Sequence, residues 1–196
     1  FRTYRGDKET LLKQFARLDG VYVPSFYCVN YNKDGTVSSI LPRIAEAEPK
    51  IKRRMVAKLP FPVTSPVVPY VEVVHDRGNV EIQRGCTRGC RFCQAGIIYR
   101  PVRERPHTEV ITAAGELLKN CGYSEISLLS LSSGDYSDID ELLVGLSQQF
   151  YGGNLTLSLP SLLLDVPVLI PNLPFPEQRR ITLTFAPEAG NERLRH

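Results

Sequence analysis

Three thiols fall within eight residues, in the run Gly85-Cys86-Thr87-Arg88-Gly89-Cys90-Arg91-Phe92-Cys93-Gln94-Ala95-Gly96. A Cys-x3-Cys-x2-Cys spacing lets three thiolates reach one metal centre, and the glycines allow the backbone to wrap closely around it. Three thiolates can hold three irons of a cubane cluster; with no fourth cysteine nearby, one iron is left open to a ligand. Arg88 and Arg91 add positive charge, which suits thiolates and an anionic cluster. Structural zinc is the rival, with His75, His107 or Cys121 as fourth ligand. Such sites usually repeat a Cys-x2-Cys pair further along, and only one pair exists here. A cluster that only relays electrons would want the missing fourth cysteine. The spacing favours the open iron–sulfur cluster.

The elements that must position this loop follow a βα rhythm. Strands are expected over 71–75 and 80–83, flanking a turn at 76–79, with the cysteine loop directly after the second. Thr108 can cap a helix running to Asn120, which Gly122 would end. A strand over 126–131, a helix over 139–150 and a strand over 155–159 follow. A proline-broken segment then leads to a strand over 181–185, and Asn191 can cap one more helix. Such alternation predicts an α/β fold with parallel strands and right-handed crossovers. A βαβ unit takes about 30 residues, so 71–196 holds only part of a barrel. An incomplete parallel β/α barrel is the expected fold.

Before it, Asp7 can cap a helix over 8–17, with Gly20 beyond its end. Strands over 21–27 and 36–41 would form a hairpin around Asn32-Lys33-Asp34-Gly35. Lys50, Lys52, Arg53, Arg54 and Lys58 read as a solvated face. Pro60, Pro62, Pro66 and Pro69 leave no room for a helix. The boundary is placed near residue 70, giving an N-terminal extension over 1–70 and the barrel portion over 71–196.

Composition narrows the class. With 42% hydrophobic and 23% charged residues, the 196-residue chain is neither disordered nor fibrous. A net charge of +3 neither demands nor excludes nucleic acid. The apolar stretch 157–175 has the length of a membrane span, but Asp165 and several prolines interrupt it. Five unevenly placed cysteines are no disulfide framework and suggest a reducing compartment, the cytoplasm. The chain begins at Phe1, and its pattern stops where a helix should start, so it reads as a fragment.

The cysteine motif, with an aromatic residue before the last cysteine, resembles the radical S-adenosylmethionine (radical SAM) superfamily. Cys93-Gln-Ala-Gly-Ile-Ile-Tyr-Arg-Pro-Val-Arg-Glu-Arg-Pro106 is similar to a subgroup whose radical domain follows a cobalamin-binding-type domain, as is Thr184-Phe185-Ala186-Pro187-Glu188-Ala189-Gly190. No Asp-x-His-x-x-Gly signature occurs here, so cobalamin could enter only through a domain outside this chain. The resemblance implies a [4Fe-4S] cluster on Cys86, Cys90 and Cys93, with S-adenosylmethionine chelating the open iron. Reductive cleavage would then give methionine and a 5′-deoxyadenosyl radical that abstracts hydrogen from an unknown substrate. An electron donor of the flavodoxin or ferredoxin type is implied as partner.

Further cofactor positions follow from the same resemblance. Phe92 would pack near the adenine, or simply plug the loop from behind. Ser133-Gly134-Asp135 stands where the family often has Gly-Gly-Glu contacting the methionine amino group, although such residues also suit any strand-to-helix turn. Ser158 could meet ribose or carboxylate, or cap the next turn. Glu188 could hold ribose hydroxyls or substrate, or pair with Arg193. The arginines at 84, 88, 91, 100, 103 and 105 read as balancing cluster charge and pairing with carboxylates. RNA is the less favoured partner, because no aromatics interleave with them. A zinc-stabilised nucleic-acid-binding module without redox chemistry is the alternative function.

Overall fold

The computed structural model describes residues 6–71, 73–153, 155–164 and 181–195. It divides into two compact units, Phe1–Val56 and Ala57–His196.

In the first unit, α1 (Lys8–Ala16) starts where the Asp7 carboxylate accepts the Thr10 N–H at 2.9 Å. β1 (Tyr27–Tyr31) pairs antiparallel with β2 (Val37–Pro42) around the expected turn. The first strand thus begins where its prediction ends. Pro24–Phe26 is a 3-10 turn instead, because Pro24 supplies a fixed φ and no N–H for a ladder. Ala16, Val23, Phe26, Tyr27 and Ala47 form a small core of their own.

The second unit carries a four-stranded parallel sheet in the order β3 (Gly78–Glu81), β6 (Glu125–Leu129), β7 (Thr156–Leu162), β8 (Ile181–Phe185). Neighbouring strands follow one another along the sheet, and among the described residues helices lie in sequence between β3 and β6 and between β6 and β7. This is the α/β architecture of a partial parallel barrel. Helix α3 (His107–Cys121) buries Val110, Ala113, Ala114 and Leu117, spaced i, i+3, i+4, i+7. Helix α4 (Ile139–Gln149) buries Ile139, Leu142, Leu143 and Leu146 at the same spacing. Both stripes pack with Val80, Ile82, Ile126, Leu128, Leu157 and Leu159 in one core. Each fully buried leucine contributes about 2 kcal/mol of burial free energy.

Several boundaries differ from expectation. Residues 71 and 73–75 form no strand: Val71 and Val74 are 74% and 95% exposed, so their apolar pattern has nothing to bury against. β3 starts at Gly78, inside the predicted turn. Helix α3 starts at His107, which leaves Thr108 inside it and no side chain at the cap; Gly122 ends it at φ 73 as predicted. β7 runs through Pro160 to Leu162, past its predicted end at Leu159. The missing proline N–H is tolerated because β6 stops pairing at Ser158, and the β7–β8 register shifts between Leu159 and Leu162. The segment 165–180, predicted to be proline-broken, lies outside the described residues.

Candidate functional site

A short ribbon holds the cysteine loop. β4 (Gln83–Arg84), one residue beyond β3, pairs antiparallel with β5 (Arg103–Glu104), closing residues 85–102 into a loop at the C-terminal end of the first parallel strand. Its foot is tight. Gly85 sits at φ 98, where a Cβ would stand 2.6 Å from the Tyr99 carbonyl oxygen and 2.9 Å from that of Pro101. Only glycine fits there. Arg100 Nε donates to the Cys86 carbonyl at 3.4 Å, and the Arg103 guanidinium donates to the carbonyls of Tyr99 and Pro101.

Within the loop, Cys86 is buried and Cys90 and Cys93 are half-buried, all three as free thiols. The Arg88 backbone N–H donates to Cys86 Sγ at 3.4 Å. Cys93 caps α2 (Gln94–Ile98), its Sγ accepting the Gly96 N–H at 3.3 Å. Backbone N–H groups aimed at sulfur are the partners a thiolate takes when it bears a metal. The donor set therefore suits an iron–sulfur cluster. Among the described residues, no three His, Cys, Asp or Glu side chains converge as a ready-made metal site. At the loop's foot, Gln83 donates to the Gly85 carbonyl through Nε2, and its buried Oε1 has no hydrogen-bond partner among the described residues. That bond to a carbonyl fixes which end of the amide is the acceptor.

The second loop follows β6. Ser133–Asp135 is a 3-10 turn, and Arg88 grips it: Nε lies 2.7 Å from Asp135 Oδ2, and Nη2 2.6 Å from Oδ1. Ser132 Oγ adds a third hydrogen bond to Oδ2 at 2.7 Å. These bonds, Arg88's first, hold the Asp135 carboxyl below its usual range against the opposing effect of burial. Ser133 is fully buried and donates to the Pro160 carbonyl at 2.7 Å, tying the turn to β7. Gly134 is half-buried between them. Tyr136, whose phenol burial pushes up, donates to the Arg105 carbonyl at 2.6 Å, and the Ser137 N–H donates to Glu104. The turn is thus bonded to β5, to β7 and to the cysteine loop.

The remaining predicted residues are more scattered. Ser158 is buried mid-strand in β7, so its hydroxyl caps no turn. In register with it stand Ser127 on β6 and Thr182 on β8, and Asn79 on β3 registers with Ser127. Alternation puts this row of four small polar residues on the sheet face opposite the leucine core. The sequence reading took only Ser158 from it. The signal was present in Ile126-Ser127-Leu128, Leu157-Ser158-Leu159 and Ile181-Thr182-Leu183, a small hydroxyl between two apolar residues in each strand. Phe92 is 68% exposed, so it does not plug the loop from behind. Glu188 is exposed beyond β8 at φ 63, and among the described residues no ion pair joins it to Arg193.

The arginines flanking the loop are engaged locally. Arg84 makes a two-pronged pair with Glu81, both contacts at 2.7 Å. Buried Arg105 donates to the carbonyls of Glu81 and Pro60, at 2.9 and 2.6 Å.

Comparison with known proteins bears on this geometry. Over 122 residues the chain is 38% identical to an uncharacterized protein of Methanocaldococcus jannaschii, covering 59% of this chain and 24% of that relative. The chain therefore spans about a quarter of the relative's length. The profile of the Radical SAM superfamily matches residues 80–193, a span that includes the cysteine loop, the Asp135 turn and three of the four small polar residues in register, Ser127, Ser158 and Thr182. With more than half its length matched, and three thiols at the C-terminal end of the first parallel strand, this chain belongs to the Radical SAM superfamily.

Proposed function

We propose that this chain binds a [4Fe-4S] cluster through Cys86, Cys90 and Cys93 and holds S-adenosylmethionine at the iron those thiols leave open. Once loaded, the cluster would supply the electron that splits the sulfonium into methionine and a 5′-deoxyadenosyl radical able to abstract hydrogen from substrate. The observation that carries this reading is the set of three free thiols on one glycine-footed loop at the C-terminal end of β3. That end of a parallel α/β sheet is where reactive groups are gathered.

The chain's own residues have separate tasks. Gly85 and the β4–β5 ribbon close the loop's foot, so loading needs to draw together three sulfurs that already share one loop. The N–H groups of Arg88 and Gly96 support two of those sulfurs. Gln83 Oε1 offers a buried acceptor to an N–H or O–H donor beside the loop. In this reading Ser158 and its neighbours in register would offer polar groups to the cofactor, and Phe92, Gly134 and Glu188 would supply further contacts to it. A flavodoxin- or ferredoxin-type reductant is the partner this chemistry needs, and the cytoplasm its expected compartment. Among the described residues, no helix is long and apolar enough to cross a membrane. The finer assignment, to the cobalamin-associated subgroup, is supported by residues 93–106 and 184–190.

The test is anaerobic reconstitution with iron and sulfide, followed by reduction and electron paramagnetic resonance with and without S-adenosylmethionine. A reduced-cluster signal that shifts on adding the cofactor, and is lost in Cys90→Ala together with the iron, is the expected result. Tightly bound zinc with no cluster, or full iron retention in Cys90→Ala, would overturn it.

A further inference from the structure

Arg88 works at both ends. Its backbone N–H donates to Cys86 Sγ at 3.4 Å, while its guanidinium meets Asp135 in a fork-to-fork pair at 2.7 and 2.6 Å. Asp135 is braced in turn by Ser132, and the adjoining Ser133 is anchored to the Pro160 carbonyl. A continuous series of bonds thus runs from a candidate metal-binding sulfur, through one arginine, to the ends of β6 and β7. The planar guanidinium is suited to this because it fixes an angle as well as a distance.

Resting on the cluster-binding reading above, we propose that Arg88 and Asp135 form a latch. It seats the cysteine loop on the turn after β6, and Asp135 acts on the metal site as a positioning residue through Arg88. Direct contact with the amino group of the bound cofactor is disfavoured. Both Asp135 oxygens are engaged by Arg88, and one by Ser132 as well. An arriving ammonium would meet a carboxylate already neutralised, with a like-charged guanidinium beside it. The carboxylate that resembles a cofactor ligand in sequence is, by its contacts, a fastener for the loop.

The test uses the whole chain, first without metal. Cys86 is only 8% exposed, so its alkylation by iodoacetamide reports opening of the loop. Rates at each cysteine are followed by mass spectrometry in Arg88→Lys, Arg88→Ala, Asp135→Asn and the double variant Arg88→Ala/Asp135→Ala. Losing a charge-assisted pair should speed Cys86 alkylation about tenfold in each alanine or asparagine variant. Cys121, packed against the main core, should react at its wild-type rate, which separates local opening from unfolding. The double variant should react no faster than Arg88→Ala, because the two residues act as one. In reconstituted protein the same variants should retain less iron, while any cluster in Asp135→Asn should keep its spectral shift with S-adenosylmethionine. A wild-type Cys86 rate in Asp135→Asn, additive effects in the double variant, or loss of the cofactor shift at full iron content would each overturn the latch. Should the wild-type chain take up no cluster, the alkylation rates still decide the latch by themselves.

Discussion

The two ends of the sheet's rim are built differently. Beside β3 and β6, side-chain bonds join segments far apart in sequence: Arg88 to Asp135, Ser133 to Pro160, Tyr136 to Arg105. Beside β8, residues 184–188 are exposed, and among the described residues the backbone bonds of 186–189 are Ala186 N–H to the Leu162 carbonyl at 3.4 Å and Ala189 N–H to the Pro187 carbonyl at 2.7 Å. The cross-linked end carries the three thiols, and the proposed cluster would need their sulfurs held to a fraction of an ångström. The sparsely bonded end carries an acidic side chain that could meet a ligand from many angles. Geometric demand and density of cross-links go together.

Glycine substitutions test that contrast most severely. Gly85→Ala should cost about 3 kcal/mol in urea unfolding, since both its positive φ and two backbone carbonyls oppose a Cβ. Gly190→Ala, with nothing within 4 Å, should stay within about 0.5 kcal/mol. Equal costs would break the comparison. Next, Ser133→Ala removes the donor from the Pro160 carbonyl and should cost about 1–2 kcal/mol by the same measurement.

A smaller effect appears in acid. Asp135 has its carboxyl pKa lowered from 3.8, so its bonds with Arg88 and Ser132 stabilise the fold above that value. The contribution is lost as pH falls through the lower folded-state value. The stability gap between wild type and Asp135→Asn, followed by urea unfolding in the metal-free chain, should therefore close below pH 3.8 and be constant above pH 5. A gap that persisted in acid would mean the pair contributes nothing through its charge. The smallest change is expected at the sparse end. Glu188 occupies a left-handed backbone conformation at φ 63 with no compensating bond among the described residues, so Glu188→Gly should raise stability by about 0.5 kcal/mol. A loss there would reveal a cross-link that this end of the rim does not show.

What could be read from the residues follows the same division. Helices α3 and α4 were legible because their buried positions recur every three or four residues, and the thiols because chemistry imposes their spacing. Gly122 was legible as a helix end because few other residues accept its φ of 73. The strand over 71–75 was misread because alternation marks a face able to be buried, and only a partner decides whether it is. Pro160 looked like a strand end because the bulge that accommodates it is a property of two strands together. The Arg88–Asp135 pair, 47 residues apart, left no local trace: each residue has a complete explanation within its own loop. The site's donors were readable, and its cross-links were not.

The β4–β5 ribbon also sets an order of events. Gln83 pairs with Glu104, twenty-one residues on, whereas Gly78 must wait for Ile126, forty-eight residues on, to begin the parallel sheet. Closing the shorter interval costs less chain entropy and is possible earlier as the polypeptide leaves the ribosome. At that stage all three thiols have been synthesised and gathered on one closed loop, while Asp135 is still to come. The nascent chain thus passes through a window in which the loop is shaped but not yet fastened to the turn after β6.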